Sequence, residues 1–359
     1  MNLKTLFAVA IGCSLSVIHV PAQTAGLDVV QFSQLIRDYN LGTFGDANLT
    51  MIQNDTEGPL AVGGNLNIGG VPLVNLQHFS ASSDPTLYVK GTLSVASGST
   101  ANLNDGYASL PGMANAGNWD GIQKRYTTPA GGILSTANAA GGNVNSTLDP
   151  RTNPAPVSWN FATMKSSAVS ISNNLAGLPA NGAIAVNGQN LTFNAGTNTG
   201  VVIFNLNANL LNGNLYNNQT FSNISMNIPV NTEFVVNVLN AGGKTLFGTG
   251  NGVNFNLPGG AAGVSQLLWN IVNAGPSDIT TTLGNGGQFY GSVLAPMVTL
   301  ANAATSPLNG QILADSVTYT NAELHYTKFV AIPEPADWTV VMGVALLGML
   351  AVRRHKRAV

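Results

Sequence analysis

The chain has 359 residues, of which 8% are charged and 45% hydrophobic, and its formal net charge is −2. An average globular protein is about 25% charged, so a charged helical bundle is excluded. The apolar content likewise excludes a disordered tail, which needs low hydrophobicity and high net charge. Residues 1–22 and those after Pro335 hold five of the 13 Lys+Arg and one of the 15 Asp+Glu, so the body between them carries 8 basic residues against 14 acidic ones. That mildly acidic body has no basic stripe for nucleic acid.

At the N-terminus, Met1 to Lys4 is followed by the mostly apolar run Leu6 to Val20 and by Val20-Pro21-Ala22, with small residues where a signal peptidase reads. The pattern predicts a signal peptide, residues 1–22, cleaved after Ala22. The only cysteine, Cys13, lies inside it. The mature chain is then expected to have no disulfide, no thiolate nucleophile and no cysteine metal site.

Asp28 to Tyr39 is a predicted short helix. Beyond it, strand-length runs rich in Val, Ile, Leu and Phe alternate with Asn and Gly: Ala183–Val186, Leu191–Phe193, Val201–Leu206, Glu233–Val238, Gln266–Val272 and Ser292–Ala295. Asn and Gly tolerate positive φ, so tight corners follow. The fold class is all-β, a sandwich or a solenoid. Two related units favour the solenoid, Gly291-Ser292-Val293-Leu294-Ala295 and Gly310-Gln311-Ile312-Leu313-Ala314, spaced 19 residues apart and each followed by Val-Thr. Val157 to Leu175 is the main predicted helix: Phe161, Met164, Ala168, Ile171 and Leu175 share one face, Pro154 and Pro156 precede it, and Gly177 and Pro179 stop it. A helix beside a β-solenoid is also the plan of bacterial ice-binding domains.

Leu41-Gly42-Thr43-Phe44-Gly45-Asp46, with Asn54-Asp55-Thr56-Glu57-Gly58-Pro59-Leu60-Ala61-Val62-Gly63-Gly64, resembles the opening signature of the choice-of-anchor A domain. The resemblance continues through Gly291–Pro296 and Gly310–Asp315 and is less clear over Asp84 to Leu178. It implies an extracellular domain with a surface or matrix role and no defined catalytic residues.

Chemistry-bearing residues are few. Asp46, Asp55 and Glu57, with Asn54 nearby, are candidate oxygen ligands for Ca²⁺, which takes six to eight. The competing reading is that Asp55 caps a turn and Glu57 faces solvent. No other cofactor is expected. Outside the terminal segments the histidines are His78 and His325, read as structural, and no zinc, nucleophile-elbow or phosphate-loop motif occurs. Gly63 to Gly70 lacks the lysine of a phosphate loop and reads as corners. Thr280-Thr281-Thr282 stands alone in the sequence, without the repeated Thr-x-Thr that a flat ice-binding face would need.

The C-terminus carries Pro333-Glu334-Pro335, an apolar run from Trp338 to Val352, and Arg353-Arg354-His355-Lys356-Arg357. The run is about fifteen residues, short of the roughly 20 that cross a bilayer, and the basic cluster suits the cytoplasmic side. Together these resemble the PEP-CTERM sorting signal. The resemblance implies recognition by an exosortase at the inner membrane, removal of the tail and delivery to the exterior. Expected domains are therefore 1–22, a β-rich domain at 23–330 and a sorting signal at 331–359. The expected function is that of a non-enzymatic surface or matrix protein that adheres to exopolysaccharide or to itself. The alternatives are an ice-binding-like or carbohydrate-binding module, or a polysaccharide-active β-helix enzyme.

Overall fold

The computed structural model describes residues 21–50, 54–69, 73–76, 84–137, 144–156, 158–207, 215–216, 219–220, 223–229, 231–243, 245–246, 254–257, 261–272, 280–283, 288–302, 307–320 and 323–332. The hydrophobic leader before Pro21, His78, Pro333-Glu334-Pro335, the apolar run at 338–352 and the basic residues Arg353, Arg354, Lys356 and Arg357 lie outside them. Among the described residues no helix is long and apolar enough to cross a membrane.

The strands wind into a three-faced β-solenoid. Successive coils pair in parallel, antiparallel strand pairs among the described residues being confined to 118–135, 183–194 and 215–220, which rules out the sandwich, whose sheets would be antiparallel. One face contains, in spatial order, Ala108–Ser109, Leu87–Val89, Leu60–Val62, Leu41–Thr43, Ile312–Thr320, Ser292–Asn302, Leu267–Val272, Thr232–Leu239 and Gly200–Asn207. That order is discontinuous in sequence. From Leu41 the chain winds outward in one direction, crosses to the far end, and winds back until its last coil lies on its first, with Leu41 opposite Ile312 and Ala47 opposite Val317. The 19-residue unit is real, since Val293, Leu294 and Ala295 pair with Ile312, Leu313 and Ala314. The strand predicted at Ser292–Ala295 runs on to Asn302, because after a register shift between Ala295 and Thr299 it turns onto the second face.

The second face holds Ala47–Thr50, Leu66–Gly69 and Leu93–Val95, continued by the distal halves of the two long strands and by Thr280–Leu283 and Thr245–Leu246. The third contains Ile133–Ser135, Thr100–Leu103, Leu73–Leu76, Asn54–Thr56, Leu324–His325, Leu308–Asn309 and Phe289–Tyr290. A separate sheet, Ala183–Asn187, Asn190–Asn194, Asn223–Met226 and Asn254–Asn256, stands beside its far end, where Phe255 meets Phe289 edge-on at 5.6 Å.

At the corner between the first two faces, glycines stack. Gly64 N donates to Gly45 O at 2.8 Å and Gly91 N to Gly64 O at 3.0 Å. A Cβ on Gly91 would lie 2.4 Å from the Gly64 carbonyl oxygen, so only glycine lets these corners approach so closely.

Two helices cover the first face. Helix α1 spans Pro21–Ile36 and α2 spans Phe161–Gly177. The first is longer than the predicted Asp28–Tyr39 and ends earlier, at Arg37, whose φ of 49° leaves the helical region. The second begins at Phe161 because Asn160 is extended and caps it, its side chain accepting from Thr163 N at 3.3 Å. Trp159, which the apolar pattern assigned to the helix, instead packs against Tyr39 with ring centroids 4.8 Å apart. The first face is thus buried on both sides. Val202, Phe204, Phe234 and Trp269 point into the solenoid, while Val201, Ile203, Val235 and Leu268 meet the helices. This explains runs with no polar alternation, such as the wholly buried Thr232–Val238. Phe161, Met164, Ile171 and Leu175 anchor α2, each contributing about 1.5–3 kcal/mol on full burial.

Candidate binding faces

The other two faces expose polar side chains between buried apolar ones. On the second face, register places Thr282, Ala301, Thr318, Asn48, Asn67 and Ser94 in one row, and Thr280, Thr299 and Ser316 in another. Thr280-Thr281-Thr282 is therefore not isolated. Its neighbours come from other coils, and a search along the chain cannot see them. Asn67 Nδ2 donates to Asn48 Oδ1 at 2.7 Å, one rung of this row.

The sheet Ala183–Asn256 repeats the plan with asparagine. Asn187, Asn190, Asn223 and Asn254 form one row, and Ala185, Thr192, Ser225 and Asn256 the next. Leu191, Phe193, Ile224 and Met226 are buried beneath. Asn223 Nδ2 donates to Asn190 Oδ1 at 3.0 Å. At the strand ends a depression of about 270 Å³ is lined by Thr192, Asn194, Ser225, Asn227, Pro229 and Asn256, among others. Asn194 Oδ1 accepts from Gly196 N at 2.8 Å, which fixes the turn at its rim.

The three carboxylates proposed for Ca²⁺ belong to one coil but not to one corner. Asp46 precedes the second-face strand, and its Oδ1 accepts from Asn65 N at 2.7 Å. Glu57 follows the third-face strand, and its Oε2 accepts from Tyr326 N at 2.9 Å, so it ties down the last coil while its side chain stays half-buried. Asp55 is a strand residue in register with Asn75. Among the described residues no group of three or more His, Cys, Asp or Glu could hold a metal ion. His325 has a structural place: Nε2 lies 2.9 Å from Glu323 Oε2 and Nδ1 lies 3.1 Å from Asn309 Oδ1.

Sequence reasoning missed how the chain leaves the domain. Gln311, fully buried, donates from Nε2 to Arg37 O at 2.9 Å and Tyr39 O at 2.6 Å, while its Oε1 accepts from Phe329 N at 2.7 Å. The segment continues through Val330 N, which donates to Ser265 O, and Ile332 N, which donates to the buried Glu233 carboxylate. Lys328 pairs with Asp38 at 2.6 Å. The chain is therefore held to the residue before Pro333. Glu233 was legible only as part of a strand. Burial, reinforced by the charge of Asp84, drives the Tyr39 phenol far above its ordinary range, and burial does the same to Tyr326, so both stay neutral.

A family model described as “Putative Ice-binding-like adhesive domain” matches residues 32–326. The chain belongs to this family. No curated protein matches it. Among solved structures, an ice-binding protein (LeIBP) from Arctic yeast is 12% identical, with 84% of this chain and 95% of that one covered and a TM-score of 0.34. An ice-binding protein from an Antarctic biological consortium is 11% identical over 81% and 88%, with a TM-score of 0.32. The Shewanella frigidimarina ice-binding protein_1 DUF3494 domain is 12% identical over 82% and 95%, also with a TM-score of 0.32. The ice-binding-like adhesive domain ends at the last coil, a few residues before the buried exit segment.

Proposed function

We propose that this chain is an exported, non-enzymatic adhesive protein of the cell surface or extracellular matrix, in which the ice-binding-like adhesive domain is the working part. The family match over residues 32–326 carries this reading. Supporting it are the second solenoid face and the separate four-stranded sheet, which carry Asn, Thr and Ser between buried apolar residues. Signal peptidase removes residues 1–22. The domain at 23–330 is of the choice-of-anchor A type. The signal at 331–359 passes through the inner membrane transiently, with its apolar segment at about 338–352, and an exosortase recognises it through Pro333, Glu334 and Pro335. Partners are exopolysaccharide, other surface molecules or further copies of the chain. The test is retention of the purified protein on host cells and on their isolated exopolysaccharide. Retention above that of a solenoid of unrelated family is expected, and no retention on cells, polysaccharide or itself would sink the proposal.

A second reading is ice binding. The register that brings Thr280, Thr299 and Ser316 into one row, and Thr282 and Thr318 into another, supports it. Thermal hysteresis of the purified protein decides it, and its absence would leave adhesion alone.

A further inference from the structure

The adhesive reading names no ligand, yet the sheet formed by Ala183–Asn187, Asn190–Asn194, Asn223–Met226 and Asn254–Asn256 is chemically selective. From Ser166 to Thr232 the sequence contains no Asp, Glu, Lys, Arg or His. A charged ligand would find no counter-ion among the described residues of these four strands. Among the described residues of these four strands a protein partner would find none of the Trp, Tyr or Arg anchors that dominate protein interfaces. What the surface offers is amides and hydroxyls at the strand repeat of about 4.8 Å, comparable with the length of one pyranose ring. Each asparagine side chain presents a donor and an acceptor side by side, and each threonine or serine can do both. That is the complement of the adjacent hydroxyls of a sugar.

The two rows differ. In the first, Asn223 already bonds Asn190. In the second, Thr192, Ser225 and Asn256 have no side-chain partner among the described residues, nor has Asn227 just past the strand, and these four line the 270 Å³ depression. The polar groups open to a ligand are therefore gathered where the surface is concave. Ice would demand a flat array, and the second face is the better candidate for that.

We propose that this depression is a subsite for a neutral polysaccharide, held by Thr192, Ser225, Asn227 and Asn256, with the chain of sugars continuing across the sheet. The proposal rests on the adhesive reading and supplies its ligand class. Single-site affinity is weak, because the described polar residues that line the depression offer only amides and hydroxyls, and adhesion gains strength from many copies on one surface.

The test uses protein recovered from the host culture, with cellohexaose, maltohexaose and chitohexaose as neutral probes and oligogalacturonate as the charged comparator, followed by calorimetry and NMR. At least one neutral probe is expected to bind without salt dependence. Ser225→Trp, which fills the depression, should weaken it more than about tenfold. Thr192→Val, which removes one hydroxyl at nearly constant shape, should weaken it a few-fold, and Ile122→Ala, at an exposed turn away from both faces, should leave it unchanged. Ser225→Trp is checked by circular dichroism, and Thr192→Val keeps the test decisive if that variant fails to fold. No binding of any neutral probe, equal binding by these variants, or preference for oligogalacturonate would overturn the proposal. Adhesion to cells is scored in parallel. Wild-type adhesion without saccharide binding removes this inference and leaves the adhesive reading standing, whereas loss of adhesion itself removes the reading.

Discussion

Asn270 Nδ2 donates to Asn237 Oδ1 at 2.8 Å, joining two successive coils beneath α2, and both residues are fully buried. Asn237 in turn donates to Asn205 Oδ1 and to Leu175 O, each at 2.8 Å, and Asn270 exchanges hydrogen bonds with the side chain and carbonyl of Ser172. This ladder ties carbonyls in the last turns of α2 to the coils beneath, that of Leu175 accepting from Leu178 N as well. A partly broken buried network is worse than none. Asn237→Leu is therefore expected to destabilise the domain by about 2–4 kcal/mol, with faster hydrogen exchange in the last turns of α2. A loss under about 0.5 kcal/mol in urea unfolding would show that the ladder is dispensable.

The stacked corner gives a second expectation. Gly91→Ala forces a Cβ to within 2.4 Å of a carbonyl oxygen on the neighbouring coil. Backbone cannot move aside cheaply, so the cost is about 1–3 kcal/mol. Gly98→Ala is the useful contrast: there is open space around it, but its φ of 81° makes the substitution strained for a conformational reason alone. Thermal unfolding of both variants, and of Gly91→Ser, should separate crowding from backbone strain, because only crowding grows with side-chain size.

Gln311 ties the start of the first coil to the segment that leads out of the domain. Gln311→Leu leaves two carbonyls and one N–H without their partner, which costs about 2–4 kcal/mol. Limited proteolysis should then cut within residues 326–332 well before the coils open. Cleavage at wild-type rate would mean that the segment is held by Glu233 and packing alone.

Asp149 provides a pH test. Burial alone would raise its pKa, but hydrogen bonds from the Arg151 side chain and backbone, with the ion pair at 2.6 Å, hold it below the ordinary carboxylate value. Because the folded pKa is depressed, the stabilisation is complete above the unfolded value of about 3.9 and is lost as pH falls from there through the folded pKa. Arg151→Gln keeps the backbone hydrogen bond but removes the guanidinium bonds and the charge, so the Asp149 titration followed by NMR should move up. An unchanged midpoint would contradict the assignment.

Much of the fold was legible in the sequence. Val293 and Ile312 face each other as the 19-residue spacing implied, and the apolar face of α2 was read correctly from Phe161 to Leu175. The discontinuity was not legible, because nothing local at Leu41 says that its neighbour is Ile312, some 270 positions away. The binding faces were hidden for the same reason. Thr282 and Thr318, or Asn190 and Asn254, become rows only after coils of unequal length stack. Asp46 precedes the second-face strand, whereas Asp55 and Glu57 lie on and just after the third-face one, since a solenoid sends successive strands to different faces.

The most direct measurement on the account is intact mass spectrometry of the protein from the culture medium, outer membrane and inner membrane of its host. The account predicts a surface or medium species that begins after Ala22 and has lost the tail beyond about Pro335, with any added mass identifying the attachment. A species with its C-terminus intact, confined to the inner membrane, would contradict it.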